Sequence, residues 1–366
     1  MGLGQGALRR LVAALVAAVV TLGLVEAVLR IAVPPSVSQA LRGLHRAVPE
    51  QPWLYELAPG EQRRDPATGV EYSVNRAGFR DRTRDRVKPD GTFRIAVVGD
   101  SLTFGYGVAL DATFAALLEQ RLPREHGGRG FQVLNLGVSG YNPYTEAALL
   151  RGVVLGYAPD LVLVQFCIND LNDPTLHFDA STMLALGAIP VEAFPDPSAR
   201  VVHPGSAPSP GGLAGRLCSV SRLCERATHA LAPATGHADL VAALAPHESP
   251  SDAELAWLGR IYRGMADDAR ARGAKLAVVV FPWETQLAGT GPEPLQEALA
   301  TFGERAGILV IDLLPAFRRA AAESAEPLFL DLWHPTARGH AVAADAIFAA
   351  LACAGALPGV ATDCVQ

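Results

Sequence analysis

Five short apolar runs recur along the chain, each bounded by glycine or polar residues: Phe93–Gly99, Phe131–Leu136, Asp160–Phe166, Lys275–Phe281 and Ile308–Asp312. Runs this short, rich in Val, Ile and Leu on nearly every position, predict strands buried on both faces. Around them the apolar positions take a helical spacing, which predicts helices over residues 113–122, 144–156, 252–272, 294–306 and 336–351. The 252–272 segment opens on a capping box, Ser251 with Glu254 three residues on. Apolar strands alternating with helices predict an α/β fold, a parallel sheet covered by helices on both faces. In such sheets function gathers at the carboxyl ends of the strands.

Three regions stand outside this alternation. Arg9 and Arg10 precede an uncharged run from Leu11 to Val25; Glu26 and Arg30 follow, and apolar residues continue to Val33 before Pro34-Pro35. Taken through Val33, the segment is long enough to cross a bilayer. Glu26 and Arg30 stand four apart, so on a helix they share a face and can pair near the interface. A cleaved signal peptide is the competing reading, because Val25-Glu26-Ala27 loosely fits a small-x-small cleavage site. Both readings export the rest of the chain, and the anchor reading makes it a single-pass membrane protein with its domain on the outer side. Residues 34–90 are rich in Arg, Asp, Pro and Gly without a long apolar period, and are expected to be a linker that becomes an extension over the domain. Residues 174–250 hold 10 of the 27 prolines and predict an insertion over the carboxyl edge of the sheet, either a lid or a passive surface insert.

Composition narrows the field. Half of the 366 residues are apolar and 19% are charged, so a sizeable core is available and wholesale disorder is excluded. The net charge of −6 gives no basic footprint for nucleic acid. Of five cysteines, Cys218 with Cys224 and Cys353 with Cys364 are each close enough to close a small loop, as an oxidising compartment favours. Cys167 lies in an apolar run and is expected to be a buried free thiol. No cysteine pair has metal-ligand spacing with histidine, so no metal is indicated.

The candidate chemistry follows strand ends. Gly99-Asp100-Ser101 comes after the first run and before a helix, where a serine hydroxyl meets the partial positive charge of a helix N-terminus. Near the far end, Asp331-Leu332-Trp333-His334 precedes the last helix. A serine nucleophile needs a base to take its proton, and that base needs a carboxylate to fix its tautomer. Asn135-Leu136-Gly137-Val138-Ser139-Gly140 and Cys167-Ile168-Asn169-Asp170 follow the second and third runs. A glycine N–H and an asparagine side chain can hold an oxyanion, although such residues after strands are mostly turn formers. Trp283 and Trp333 are candidates to line a substrate pocket, or simply to pack its rim.

Together these blocks resemble the SGNH (GDSL-type) hydrolase superfamily, matched by Ser101, Gly137, Asn169 and His334 in that order. Asn75-Arg76-Ala77-Gly78-Phe79-Arg80 is similar to the approach segment of membrane-anchored bacterial members. The resemblance implies a triad of Ser101, His334 and Asp331, and an oxyanion hole from the N–H groups of Ser101 and Gly137 with the Asn169 side chain. It also implies a flavodoxin-like three-layer α/β/α sandwich with a five-stranded parallel sheet and no cofactor or metal. Cys167 stands where the third block usually has glycine, which puts the backbone of that loop in question. The expected organisation is an anchor or signal over 1–35, an extension over 36–91, a hydrolase domain over 92–353 interrupted at 174–250, and a tail over 354–366. The expected activity is hydrolysis of a carboxylic ester on an envelope glycan or lipid. An O-acyltransferase and a catalytically silent envelope binding protein are the alternatives. Asp-x-x-His in the last block favours the hydrolase, since envelope acetyltransferases with SGNH-like domains tend to carry Asp-x-His.

Overall fold

The computed structural model describes residues 5–32, 41, 43–48, 50–53, 55–122, 130–171, 221, 223, 249–289, 291 and 293–360. Most of the proposed insertion, with Cys218 and Cys224, lies outside them. Helix α1 (Gln5–Ala32) is long and apolar enough to cross a membrane, a test that a signal sequence passes as well. Its apolar side chains are exposed from Leu11 to Val28.

Two antiparallel hairpins precede the main sheet: β1 (His45–Ala47) with β2 (Tyr55–Leu57), and β3 (Gln62–Arg64) with β4 (Glu71–Ser73). They are built into the core, because Tyr55, Leu57, Tyr72, Val74 and Phe79 are all buried against it. Three-residue strands bury only alternate positions, too few to leave a period in the sequence.

The main sheet holds β5 (Thr92–Val98), β6 (Gly130–Asn135), β7 (Leu161–Phe166), β8 (Lys275–Val280) and β9 (Leu309–Asp312). All its pairings are parallel, in the order β6-β5-β7-β8-β9. The strands fall within a residue or two of the five apolar runs. Every residue of β7 is buried, as a central strand covered on both faces requires. The order reverses at β5, so the crevice between the carboxyl ends of β5 and its neighbours is the expected site of chemistry.

The covering helices are α2 (Ser101–Phe104), α3 (Phe114–Arg121), α4 (Pro143–Gly152), α5 (Asp252–Arg270), α6 (Pro294–Ala306), α7 (Leu314–Glu323) and α8 (Ala337–Cys353). Helix α4 packs on α5 and α5 on α6, while α3 packs on α8 and α8 on α7, forming the two outer layers. Ser251 and Glu254 form the expected capping box of α5. Helix α7 was not among the expected elements; Pro315 reads as a breaker, but in a first turn it removes no helical hydrogen bond. Cys353 is disulfide-bonded, Cys364 lies outside the described residues, and Cys167 is a buried free thiol.

His340 of α8 is fully buried, and its Nδ1 accepts the Phe114 N–H at the start of α3 (3.1 Å). Burial, with smaller contributions from Arg80 and His334, lowers its pKa from 6.5 to about 3. Between those values the unfolded chain binds a proton that the folded protein refuses, so stability falls as pH drops from 6.5 toward 3. In a His340→Gln variant the thermal midpoint is expected to decline less steeply over that window; an unchanged slope would contradict the assignment.

Candidate active site

Ser101 opens α2 directly after β5. Asp100 is the N-cap, its Oδ1 accepting the Leu102 N–H at 2.8 Å, and it is fully buried. Gly99 is required by space: a Cβ there would lie 2.3 Å from Thr103 Oγ1 and 2.4 Å from Gln165 Oε1. Gln165 Oε1 accepts both the Asp100 N–H (3.1 Å) and the Thr103 hydroxyl (3.0 Å). A polar residue inside an otherwise apolar strand was the signal for Gln165, which the sequence reading passed over.

The turn before α8 returns to the same edge. The Asp331 Oδ1 accepts the N–H groups of Trp333 (3.0 Å) and His334 (2.9 Å), which folds the segment back on itself. His334 Nδ1 then lies 2.7 Å from Asp331 Oδ2, and His334 Nε2 lies 2.9 Å from Ser101 Oγ. With Nδ1 bearing the proton toward the carboxylate, Nε2 is left as the acceptor facing the hydroxyl. Burial pushes Asp331 up, but hydrogen bonds and charge from His334, with the two backbone N–H donors, outweigh it and hold the carboxyl below its ordinary range. The Tyr106 ring lies 4.7 Å from the His334 ring, and burial pushes its phenol up to about 12, so it is neutral there.

The segment around Tyr106 is fixed by the N-terminal extension. The buried Arg80 guanidinium donates to the carbonyls of Phe104 (2.9 Å), Gly105 (2.6 Å) and Val108 (2.6 Å) and sits over the Tyr72 ring. The Gly107 N–H donates to the Tyr72 hydroxyl (2.8 Å). Residues of the extension thus satisfy the backbone that leaves the Ser101 helix.

After β7, Asn169 lies in a 3-10 turn (Ile168–Leu171) with its Nδ2 donating to Asp100 Oδ2 at 3.1 Å. Cys167 accommodates this turn: its N–H donates to Asp170 Oδ2 (2.9 Å) and its carbonyl accepts the Asp170 N–H (3.0 Å). Burial, then the nearby Asp100 and Asp170, push the Cys167 thiol well up, so it is no nucleophile. Burial raises both Asp100 and Asp170, and the Asp100 charge raises Asp170 further.

Two expected site residues sit differently. The Gly137 N–H is engaged by Asn135 Oδ1 (3.1 Å), and a Cβ at Gly137 would lie 2.4 Å from the Phe104 nitrogen; Gly137 permits close packing rather than offering a free donor. Three residues on, the Tyr141 N–H closes a turn on the Val138 carbonyl (3.1 Å) with Gly140 at φ +82°. The Ser139 carbonyl in that turn accepts the Tyr55 hydroxyl (3.3 Å). The two ends of a trans peptide point opposite ways, so the Gly140 N–H faces away from Tyr55, and no acceptor meets it among the described residues. Trp283 is 1% exposed and packed in the core, where it presents no surface to a substrate. Its loop supports the site instead, through the Glu284 N–H on the Leu332 carbonyl (2.8 Å). Trp333 is partly buried, its ring 6.0 Å from that of His334.

Comparison with known proteins adds the following. A search of curated protein sequences returns no significant match. Solved structures that resemble the chain include a putative lipolytic protein of the G-D-S-L family from Desulfitobacterium hafniense (14% identity, TM-score 0.38, 70% of this chain and 99% of that one). A catalytic mutant of an acetylxylan esterase from Geobacillus stearothermophilus is another (15% identity, TM-score 0.43, 71% and 94%). The sequence model of GDSL-like lipases and acylhydrolases matches residues 97–342, a span running from β5 into α8 and taking in every block described above. With that match over most of its length, the chain belongs to the GDSL-like lipase/acylhydrolase family.

Proposed function

We propose that this protein is a serine esterase that hydrolyses a carboxylic ester through an acyl-enzyme on Ser101. Family membership supports ester hydrolysis in general. The observation that carries the serine mechanism is the hydrogen-bonded series Ser101 Oγ, His334 and Asp331 at the point where the strand order reverses. His334 takes the Ser101 proton as Oγ attacks the ester carbonyl, and Asp331 steadies the imidazolium that forms. The alcohol leaves with that proton, and a water activated by the same histidine then releases the acid. The oxyanion is held by the Ser101 N–H, in the first turn of α2 where no helical partner exists, and by the Asn169 side chain. Gly140 supplies the further N–H in place of Gly137, whose own is already engaged.

The substrate we infer is an ester of an envelope glycan or lipid, met outside a bacterial inner membrane to which α1 holds the domain. The support is the helix itself, with Arg9 and Arg10 ahead of its uncharged stretch. Hydrolysis of p-nitrophenyl esters from C2 to C12 tests the activity and its acyl preference. Turnover peaking at C2 indicates a deacetylase, and a preference for long chains indicates a lipase. Absence of turnover at every length contradicts the esterase reading.

A further inference from the structure

The Asp100 carboxylate serves two donors with two different oxygens. Oδ1 caps α2 at Leu102 N–H (2.8 Å), and Oδ2 accepts from Asn169 Nδ2 (3.1 Å). A primary amide turned end for end keeps almost the same shape, so hydrogen-bond polarity decides which end faces a partner. Both Asp100 oxygens act as acceptors here, so the carboxyl group meets the amide through its NH2 end rather than its carbonyl oxygen. In the observed orientation Asn169 Oδ1 is buried with no hydrogen-bond partner among the described residues. Leaving a buried carbonyl oxygen unsatisfied is unfavourable, so nothing on that side of the amide selects this orientation. Asp100 selects it. With one Nδ2 hydrogen held by Asp100, the second is fixed in direction and meets no acceptor among the described residues.

We propose that Asp100 is a positioning residue, whose second carboxylate oxygen fixes the Asn169 amide so that its free N–H is presented to the substrate oxyanion. The proposal rests on the assignment of Asn169 as an oxyanion donor. It explains why an aspartate precedes Ser101: asparagine, serine and threonine cap a helix as well, but each carries one side-chain oxygen where this position uses two. Gln165 supports the arrangement from β7 by holding the Asp100 backbone N–H, which keeps the carboxylate between α2 and Asn169.

Asp100→Asn separates this role from capping. The new side chain retains one oxygen, and when that oxygen caps Leu102 its NH2 group faces Asn169 and turns the amide over. The expected result is a kcat lower by on the order of 10²–10³, the usual loss for one oxyanion donor. KM stays within a few-fold and the thermal midpoint close to wild type, because asparagine caps as well as aspartate. Asn169→Ala is expected to lose a similar factor, and the double variant no more than Asn169→Ala alone. A silent Asn169→Ala removes the donor assignment, and the proposal with it. A costly Asn169→Ala beside a silent Asp100→Asn, or losses that multiply in the double variant, leaves the donor in place and overturns the role of Asp100. Should Asp100→Asn fail to fold, the Asn169 side-chain amide of the wild-type protein provides the readout by NMR. One proton slowed in exchange supports the proposal, and two rapidly exchanging protons contradict it.

Discussion

Alanine in place of Ser101 is expected to leave a folded protein whose ester turnover is lower by on the order of 10⁶. The hydroxyl is the group that lies 2.9 Å from His334 Nε2, and no other side chain takes that position among the described residues. The loss confines itself to chemistry because the supports of the turn stay in place. Asp100 still caps α2, Gln165 still holds the Asp100 N–H, and Arg80 still binds the carbonyls of Phe104, Gly105 and Val108. Initial rates on a p-nitrophenyl ester, with the thermal midpoint measured beside them, check this. An unchanged midpoint with no turnover is expected. Turnover within tenfold of wild type would mean that another group attacks the ester.

Asp331→Asn is expected to lower kcat by about 10⁴, with little effect on folding. Asp331 Oδ1 organises the turn by accepting the N–H groups of Trp333 and His334, and the amide oxygen of asparagine can continue to do so. The second position then carries NH2 where a carboxylate oxygen faced His334 Nδ1 at 2.7 Å. A donor there favours the tautomer with the proton on Nε2, which points a hydrogen at Ser101 and removes the acceptor the hydroxyl needs. The side chain of Asp331 is 46% exposed, so its contact with His334 adds little to stability, and its removal is read in rate rather than in melting. A kcat within a few-fold of wild type would show that the carboxylate does not set the tautomer.

The main sheet was legible because both its faces are covered, so its strands are written as short continuous apolar runs bounded by glycine or polar residues. The hairpins at 45–73 left no such trace, since β2 buries two side chains, β4 one and β3 none. Helix α7 was hidden by Pro315 in its first turn. At the site, Ser101, His334 and Asp331 could be singled out from sequence by side-chain type and strand-end position, and the structure brings them within hydrogen-bond reach of one another. The glycines after β6 were harder to read. Two glycines follow β6, and which of them has a free N–H depends on turn geometry: Asn135 Oδ1 takes that of Gly137, while the turn at Gly140 directs its own elsewhere. For Trp283 the sequence left lining and packing both open, since a tryptophan after a strand can as readily point into the core as into the crevice; the side chain is buried. Arg80 stood in a segment singled out by resemblance, but only the fold shows its guanidinium closing the carbonyls behind the Ser101 helix.

The most direct test of the account is the mass of the intact protein after treatment with a fluorophosphonate, followed by mapping of the modified peptide. The geometry predicts a single adduct on Ser101 that forms in the wild-type protein, slows strongly in His334→Ala and disappears in Ser101→Ala. No adduct on the folded wild-type protein, or one that persists in Ser101→Ala, would contradict the assignment of Ser101 as the nucleophile.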